Sequence, residues 1–173
     1  MTLSPFMGFD SIEPYKRHTG KGLILLCRTS NPGGSDLQAQ PLEGGEKLFE
    51  RIARLAAGEW GRGAALGLVV GATYPEEVAR VRALAPTLPL LVPGIGAQGG
   101  DAAATVRAGW RAGPGETSGP VIVSSSRAVL YAGEGSGPGS GPGSGLVSTV
   151  DAYALAARGV AEATRALLQA ARG

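Results

Sequence analysis

Leu88-Pro89-Leu90-Leu91-Val92-Pro93-Gly94-Ile95-Gly96-Ala97-Gln98-Gly99-Gly100-Asp101 sets an apolar run against a loop with four glycines, and an alanine-rich stretch follows. This reads as strand, loop, helix. Glycines permit positive φ and close backbone approach, and the next helix N-terminus offers unpaired N–H groups to an anion. The strand is expected over Leu88 to Val92, with Asp101 capping the helix. Gln98 has an amide to give a phosphate or a ring carbonyl, and is equally readable as a solvated loop residue.

Outward from that stretch the same grammar repeats. Gly22 to Arg28 reads as a strand followed by the loop Thr29-Ser30-Asn31-Pro32-Gly33-Gly34. Ala65 to Val70 reads as the next, followed by Gly71-Ala72-Thr73-Tyr74, with Pro75 at N1 of a helix and Glu76 and Glu77 at its positive end. Val121 to Ser125 reads as a strand that leads into Ser126 and Arg127. Met1 to Phe6 is a strand stub, after which Asp10 is expected to cap a short helix.

Between these runs lie helical periods. A helix from about Gly45 to Trp60 is expected to bury Leu48, Ile52, Leu55, Ala56 and Trp60. The Pro75 helix is expected to turn Val78, Val81 and Leu84 inward. Asp151 to Arg172 is expected as a final helix packing through Tyr153, Ala156, Val160, Ala163 and Leu167. Residues 133–145 repeat Ser-Gly-Pro-Gly and read as a flexible loop within a single domain of residues 1–173. Strand followed by helix, repeated, predicts an α/β fold with a parallel sheet, its chemistry on the loops after the strands.

Composition narrows the partners. A net charge of +2, with 13 arginines spread along the chain, gives no basic run and argues against nucleic acid. No apolar stretch approaches the ~20 residues of a membrane span, and no secretory signal opens the chain, which predicts a cytoplasmic protein. The single cysteine, Cys27, lies in an apolar strand and reads as a buried, inert thiol. His18 has no second histidine or cysteine to join in a metal site.

Thr29, Ser30 and Asn31 can present polar groups to a heterocycle or satisfy a local Asn-Pro turn. Arg127 can hold a phosphate bidentately or make a surface ion pair. Gly94 to Gly99 loosely matches a dinucleotide fingerprint, but it does not follow the first strand, and Glu116 falls in a Gly-Pro-rich loop where the acid should end a strand.

Taken together, Leu3 to Ser11, Arg28-Thr29-Ser30-Asn31-Pro32, Gly67 to Thr73, Val92 to Asp101 and Ser125-Ser126-Arg127 resemble, in order, the orotidine 5'-phosphate decarboxylase family, in its longer bacterial branch. Sugar-phosphate isomerases and aldolases share the glycine-loop logic but do not predict Thr-Ser-Asn-Pro and Gly-Ala-Gln-Gly-Gly-Asp together. The resemblance implies a TIM-type (β/α)₈ barrel, here incomplete and covering about its last four and a half βα units, since a full barrel takes about 250 residues. It implies decarboxylation of orotidine 5'-phosphate to UMP without metal or organic cofactor. It places Ser30 at the pyrimidine edge and Pro93 in the apolar pocket, and it makes Gln98 a bridge to the phosphate, which Ser126 and Arg127 hold. Asp10, Asn31, Gly94 and Gly96 would stand behind these.

The family's Asp-x-Lys-x-x-Asp segment, which supplies the proton and the carboxylate facing the leaving CO₂, does not occur in these 173 residues. None of Asp10, Asp36, Asp101 and Asp151 is followed two residues later by a lysine. The chain is therefore expected to start inside the family's fourth strand, to lack catalytic residues and to be inactive alone. Open sheet edges would favour a homodimer or other self-association. A non-catalytic half-barrel that binds a nucleotide monophosphate, or assembles with a partner fragment, is the second reading.

Overall fold

A computed structural model describes residues 1–95, 101–113, 118–132 and 150–172. The expected loop over 133–145 lies outside the described residues. Two compact units make up the chain, Met1–Ser124 and Ser125–Gly173.

The first unit is built on five parallel strands: β1 (Thr2–Leu3), β2 (Gly22–Arg28), β3 (Ala65–Val70), β4 (Leu90–Pro93) and β5 (Val121–Ser124). Their spatial order is their sequence order. A doubly wound sheet reverses direction at a switch point, whereas a barrel adds each strand beside the last. Successive helices α2 (Leu48–Ala57), α3 (Pro75–Leu84) and α4 (Ala102–Gly109) touch one another, so all three lie on one face of the sheet. This is the parallel (β/α) barrel progression, and the expected fold class holds.

On the helix-facing side, Leu23, Leu25 and Cys27 of β2, Leu66, Leu68 and Val70 of β3, and Leu90 and Val92 of β4 are buried. The opposite side is graded: Val69 is buried, Ile24, Leu26 and Leu91 are half-buried, and Ile122 at the β5 edge is 50% exposed.

β2 and β3 fall where the sequence places them. Leu26 pairs with Val69 and Arg28 with Val70, so Cys27 is an extra residue in β2. Such a bulge re-aims the side chains beside it.

Several expectations need correction. α2 starts at Leu48, not Gly45, because Gly44 and Gly45 turn with φ of 88° and 86°, and Lys47 bridges back to Pro41. The Glu50 carboxylate then accepts the Lys47 N–H at 2.8 Å. Ile52 and Ala56 of α2 are buried as expected, but Leu48 and Leu55 are only half-buried, and Phe49 and Ala53 complete the buried face. Trp60 lies beyond the helix and stacks on Phe9, centroids 6.0 Å apart. In α3 the third inward residue is Arg82, not Leu84, because its guanidinium finds main-chain carbonyls such as those of Gly109 and Pro120. β4 begins at Leu90 and ends on Pro93, and β5 stops at Ser124. Asp10 sits exposed in a 3-10 helix (Phe9–Ser11) whose N-cap is Gly8, and it makes no cap bond. Gly8, at φ 93°, takes the conformation that displaced it.

Asp101 does cap α4, accepting the Ala104 N–H at 2.9 Å. Pro75 is the first residue of α3.

The second unit holds α5 (Ser126–Leu130) and α6 (Val150–Ala170). The Tyr153 hydroxyl donates to the Leu130 carbonyl at 2.9 Å. α6 buries no residue fully. Ala156 and Val160 are half-buried as expected, but Ala163 and Leu167 are exposed, and the covered face continues through Thr164 and Leu168.

Candidate active site

The strand C-terminal ends form one row. Gly71 N–H donates to the Arg28 carbonyl at 2.7 Å, Ala72 N–H donates to the Pro93 carbonyl at 2.9 Å, and Pro93 pairs with Ser124. Loops leaving β2, β3 and β4 are thus level with one another.

The loop after β2 is where side chains converge. Thr29 is already engaged: its N–H donates to the Gln38 amide oxygen at 2.8 Å, and Gln38 Nε2 donates to its hydroxyl at 3.0 Å. Asn31 begins a 3-10 helix (Pro32–Asp36) without using its side chain as a cap. Thr73 donates its hydroxyl to the Ser30 carbonyl at 3.2 Å, tying the loop after β3 to the loop after β2. Ser30, Asn31, Pro32, Thr73 and Tyr74 line a cavity of about 290 Å³. The Ser30 and Asn31 side chains therefore border a cavity with no described bond holding them to the fold, while Thr29 serves the scaffold.

Gly71 permits this closeness. A Cβ on it would lie 2.7 Å from the N, Cα and Cβ of Ser30.

Beneath the cavity lies a cluster that periodicity gave no means to see. Arg28 is 2% exposed, and its Nε donates to the Glu77 carboxylate at 2.6 Å. Its Nη2 donates to the Ser35 hydroxyl at 3.0 Å, and its guanidinium lies 5.1 Å from the Tyr74 ring centroid. Glu77 had been assigned only to the helix dipole. The signal was an arginine at a strand end and a glutamate in the first turn of the next helix.

Pro93 is half-buried at the end of β4, and Gly94 follows at φ 96°, a conformation that requires glycine. Gly96 and Gln98 lie outside the described residues. Ser126 and Arg127 are exposed in the first turn of α5, in the second unit, and Arg127 forms no salt bridge with a described residue. The structure thus brings Ser30 and Asn31 together with Thr73 and Tyr74, and sets Pro93 and Gly94 on the same row of strand ends.

Cys27 is fully buried and donates its S–H to the Phe49 carbonyl at 3.2 Å. Burial pushes its thiol far above the usual range, which leaves a packing residue. No lysine stands at the C-terminal end of a described strand: Lys16 ends a short helix, α1 (Glu13–Lys16), Lys21 precedes β2, and Lys47 precedes α2. Among the described residues no three of His, Cys, Asp and Glu cluster as metal ligands, and no helix is long and apolar enough to cross a membrane.

Sequential parallel strands, helices on one face and a polar cavity at the strand ends define the class of the (β/α) barrels. Within it the chain belongs to the orotidine 5'-phosphate decarboxylase / HUMPS family, whose model matches residues 1–136. It is 63% identical over 99% of its length to an orotidine 5'-phosphate decarboxylase of Methylibium petroleiphilum, and 61% identical over 99% to one of Albidiferax ferrireducens. In each case it spans 58% of the relative's length. Among solved structures it matches Leishmania donovani UMP synthase at TM-score 0.73 and 40% identity, covering 96% of this chain and 32% of that one. Leishmania donovani OMP decarboxylase matches at TM-score 0.70 and 37% identity, over 96% and 56%.

Proposed function

We propose that this chain carries the nucleotide-binding portion of an orotidine 5'-phosphate decarboxylase and binds orotidine 5'-phosphate and its product UMP. The carrying observation is 63% identity over 99% of the chain to a decarboxylase.

In this reading Ser30 meets the pyrimidine edge and Pro93 lines the apolar side of the ring. Gln98 bridges from the pyrimidine side to the phosphate, which the Ser126 and Arg127 backbone and the Arg127 guanidinium hold. Asn31, Gly94 and Gly96 support those contacts, and Asp10 stands behind them. Binding energy from the phosphate, remote from the reacting carbon, serves the transition state. The protein acts in the cytoplasm, where a lone buried thiol such as Cys27 stays reduced.

Decarboxylation needs a proton for the carbon that loses CO₂, and these residues offer no lysine at a strand end to give it. Phosphate contacts cannot replace a positioned acid. The chain alone is therefore expected to bind UMP and not to turn over orotidine 5'-phosphate. Among the described residues β1 and β5 are the edge strands of the sheet, and such edges favour association into a homodimer or with a complementary fragment.

Loss of orotidine absorbance, followed with purified chain, tests the catalytic half. No turnover is expected, and a rate typical of an enzyme overturns the assignment of chemistry elsewhere. NMR titration with UMP tests the binding half, where shifts at Ser30 and Asn31 are expected and an unperturbed spectrum defeats it. Light scattering after size exclusion tests assembly, and a stable monomer counts against the edge argument.

A further inference from the structure

The pair Arg28–Glu77, in which the arginine is buried and the glutamate half-buried, asks for an explanation that stability does not supply. Taking two charges out of water is costly, and apolar residues of similar volume are often at least as stable in the same place. What the pair does supply is geometry. Arg28 ends β2 at the bulge, Glu77 lies 49 positions on in the first turn of α3, and Ser35 belongs to the loop between them. One guanidinium thus ties its own strand end to two other pieces of chain. Its guanidinium carbon also lies 5.1 Å from the ring centroid of Tyr74, a residue that lines the cavity. Gly34 admits the grip, since a Cβ there would come within 2.7 Å of Arg28 Nη1 and 2.8 Å of the Thr29 hydroxyl.

We propose that Arg28 and Glu77 are positioning residues that hold the Ser30–Asn31 loop and the Tyr74 ring in register around the cavity, and so set recognition of the base. This rests on the reading of that cavity as the pyrimidine side of a nucleotide site. Neither residue touches the nucleotide. The guanidinium fixes where the β2 loop leaves its strand, the carboxylate fixes where α3 begins, and the cavity lies between those two points.

Two variants test it in the full chain. Arg28→Met removes the fork, and Glu77→Gln, which keeps an acceptor of the same shape while removing the charge, is the second variant should Arg28→Met prove unstable. The first readout is amide hydrogen exchange without ligand. The Thr29 amide, bonded to Gln38, and the Gly34 amide, bonded to the Asn31 carbonyl, are expected to exchange about tenfold faster, with Leu68 in β3 unchanged.

The second readout compares UMP with ribose 5-phosphate, which has no base. Glu77→Gln is expected to weaken UMP about tenfold and ribose 5-phosphate less than twofold. Combined with Ser30→Ala, its loss should be less than additive, because both act through the same contact. Unchanged exchange at Thr29 and Gly34, or equal weakening of both ligands, overturns the proposal. If the wild-type chain does not bind UMP, the nucleotide reading fails by itself, and hydrogen exchange still decides whether the pair holds the loop.

Discussion

Replacing Arg82 with methionine should cost more stability than removing any surface ion pair of this protein. Arg82 is 1% exposed and pairs with no carboxylate among the described residues. Its guanidinium instead donates to five main-chain carbonyls: Gly109 at 2.6 Å, Ala85 at 2.9 Å, Pro86 at 3.1 Å, Leu88 at 2.8 Å and Pro120 at 3.1 Å. Those carbonyls belong to the end of α4, the turn after α3 and the residues leading into β4 and β5. One side chain thus pins the lower ends of the two strands whose upper ends carry Pro93 and Ser124. Gly119 is closely fitted to it, since a Cβ there would lie 2.9 Å from Arg82 Cζ.

Each charge-assisted bond is worth about 1.5–3 kcal/mol, but relief of the arginine's own desolvation and entry of water return much of the sum. The expected loss is about 3–5 kcal/mol, which for a chain of this size lowers Tm by about 10 °C. Burial, helped by nearby Arg111, lowers the Arg82 pKa to about 10, so the group is still charged at neutral pH. Arg82→Lys keeps a charge but not the fork, and should lose about half as much. Urea unfolding followed by far-UV circular dichroism measures both variants. A shift of the midpoint with unchanged slope is expected. A loss below about 1 kcal/mol for Arg82→Met would refute the cage as a fastener.

Three further outcomes follow from the same structure. Gly71→Ala should displace Ser30 and weaken UMP about tenfold or more while β3 still forms, read by calorimetric titration beside circular dichroism. Glu46 accepts from Arg54 and Arg51, whose guanidinium groups hold its carboxyl at about 2, below its ordinary 4.5. Its folded value is depressed, so its contribution is complete above pH 4.5 and fades as pH falls towards 2. Glu46→Gln should therefore flatten the acid limb of urea midpoints at low salt, and high salt should have the same effect. Cys27 should stay unmodified by a thiol reagent in the folded protein and react only after denaturation, because burial suppresses its thiolate. Rapid labelling under native conditions would contradict that.

The parts of the fold that local rules govern were legible in the residues. Gly22–Arg28 and Ala65–Val70 read as strands from apolar runs closed by polar loops, Pro75 marked a helix start and Asp101 marked a cap. What escaped was set by partners distant in sequence. No periodicity announces that Arg82 will face inward to gather carbonyls from α4 and β5, or that Arg28 will find Glu77. The start of α2 was missed because positive φ at Gly44 and Gly45, with the Pro41 to Lys47 bridge, outweighed a helical period that begins earlier.

For the candidate site, Ser30 and Asn31 were legible as polar residues after a strand, and they line the cavity. Thr29 was grouped with them, yet it is spent on Gln38, because an amide nine residues away satisfies both its N–H and its hydroxyl. Thr73 closes one of the segments that carry the resemblance, yet neither it nor Tyr74 reads as a site residue. Their place beside Ser30 comes from β2 and β3 being neighbours, which the residues of either loop do not encode.

Calorimetric titration of UMP into the purified chain and its Arg127→Ala variant tests the central claim most directly. Saturable binding by the wild type is predicted, with a loss of about tenfold or more on removal of the arginine proposed to hold the phosphate. Absence of binding by the wild type, or equal affinity in the variant, would contradict it.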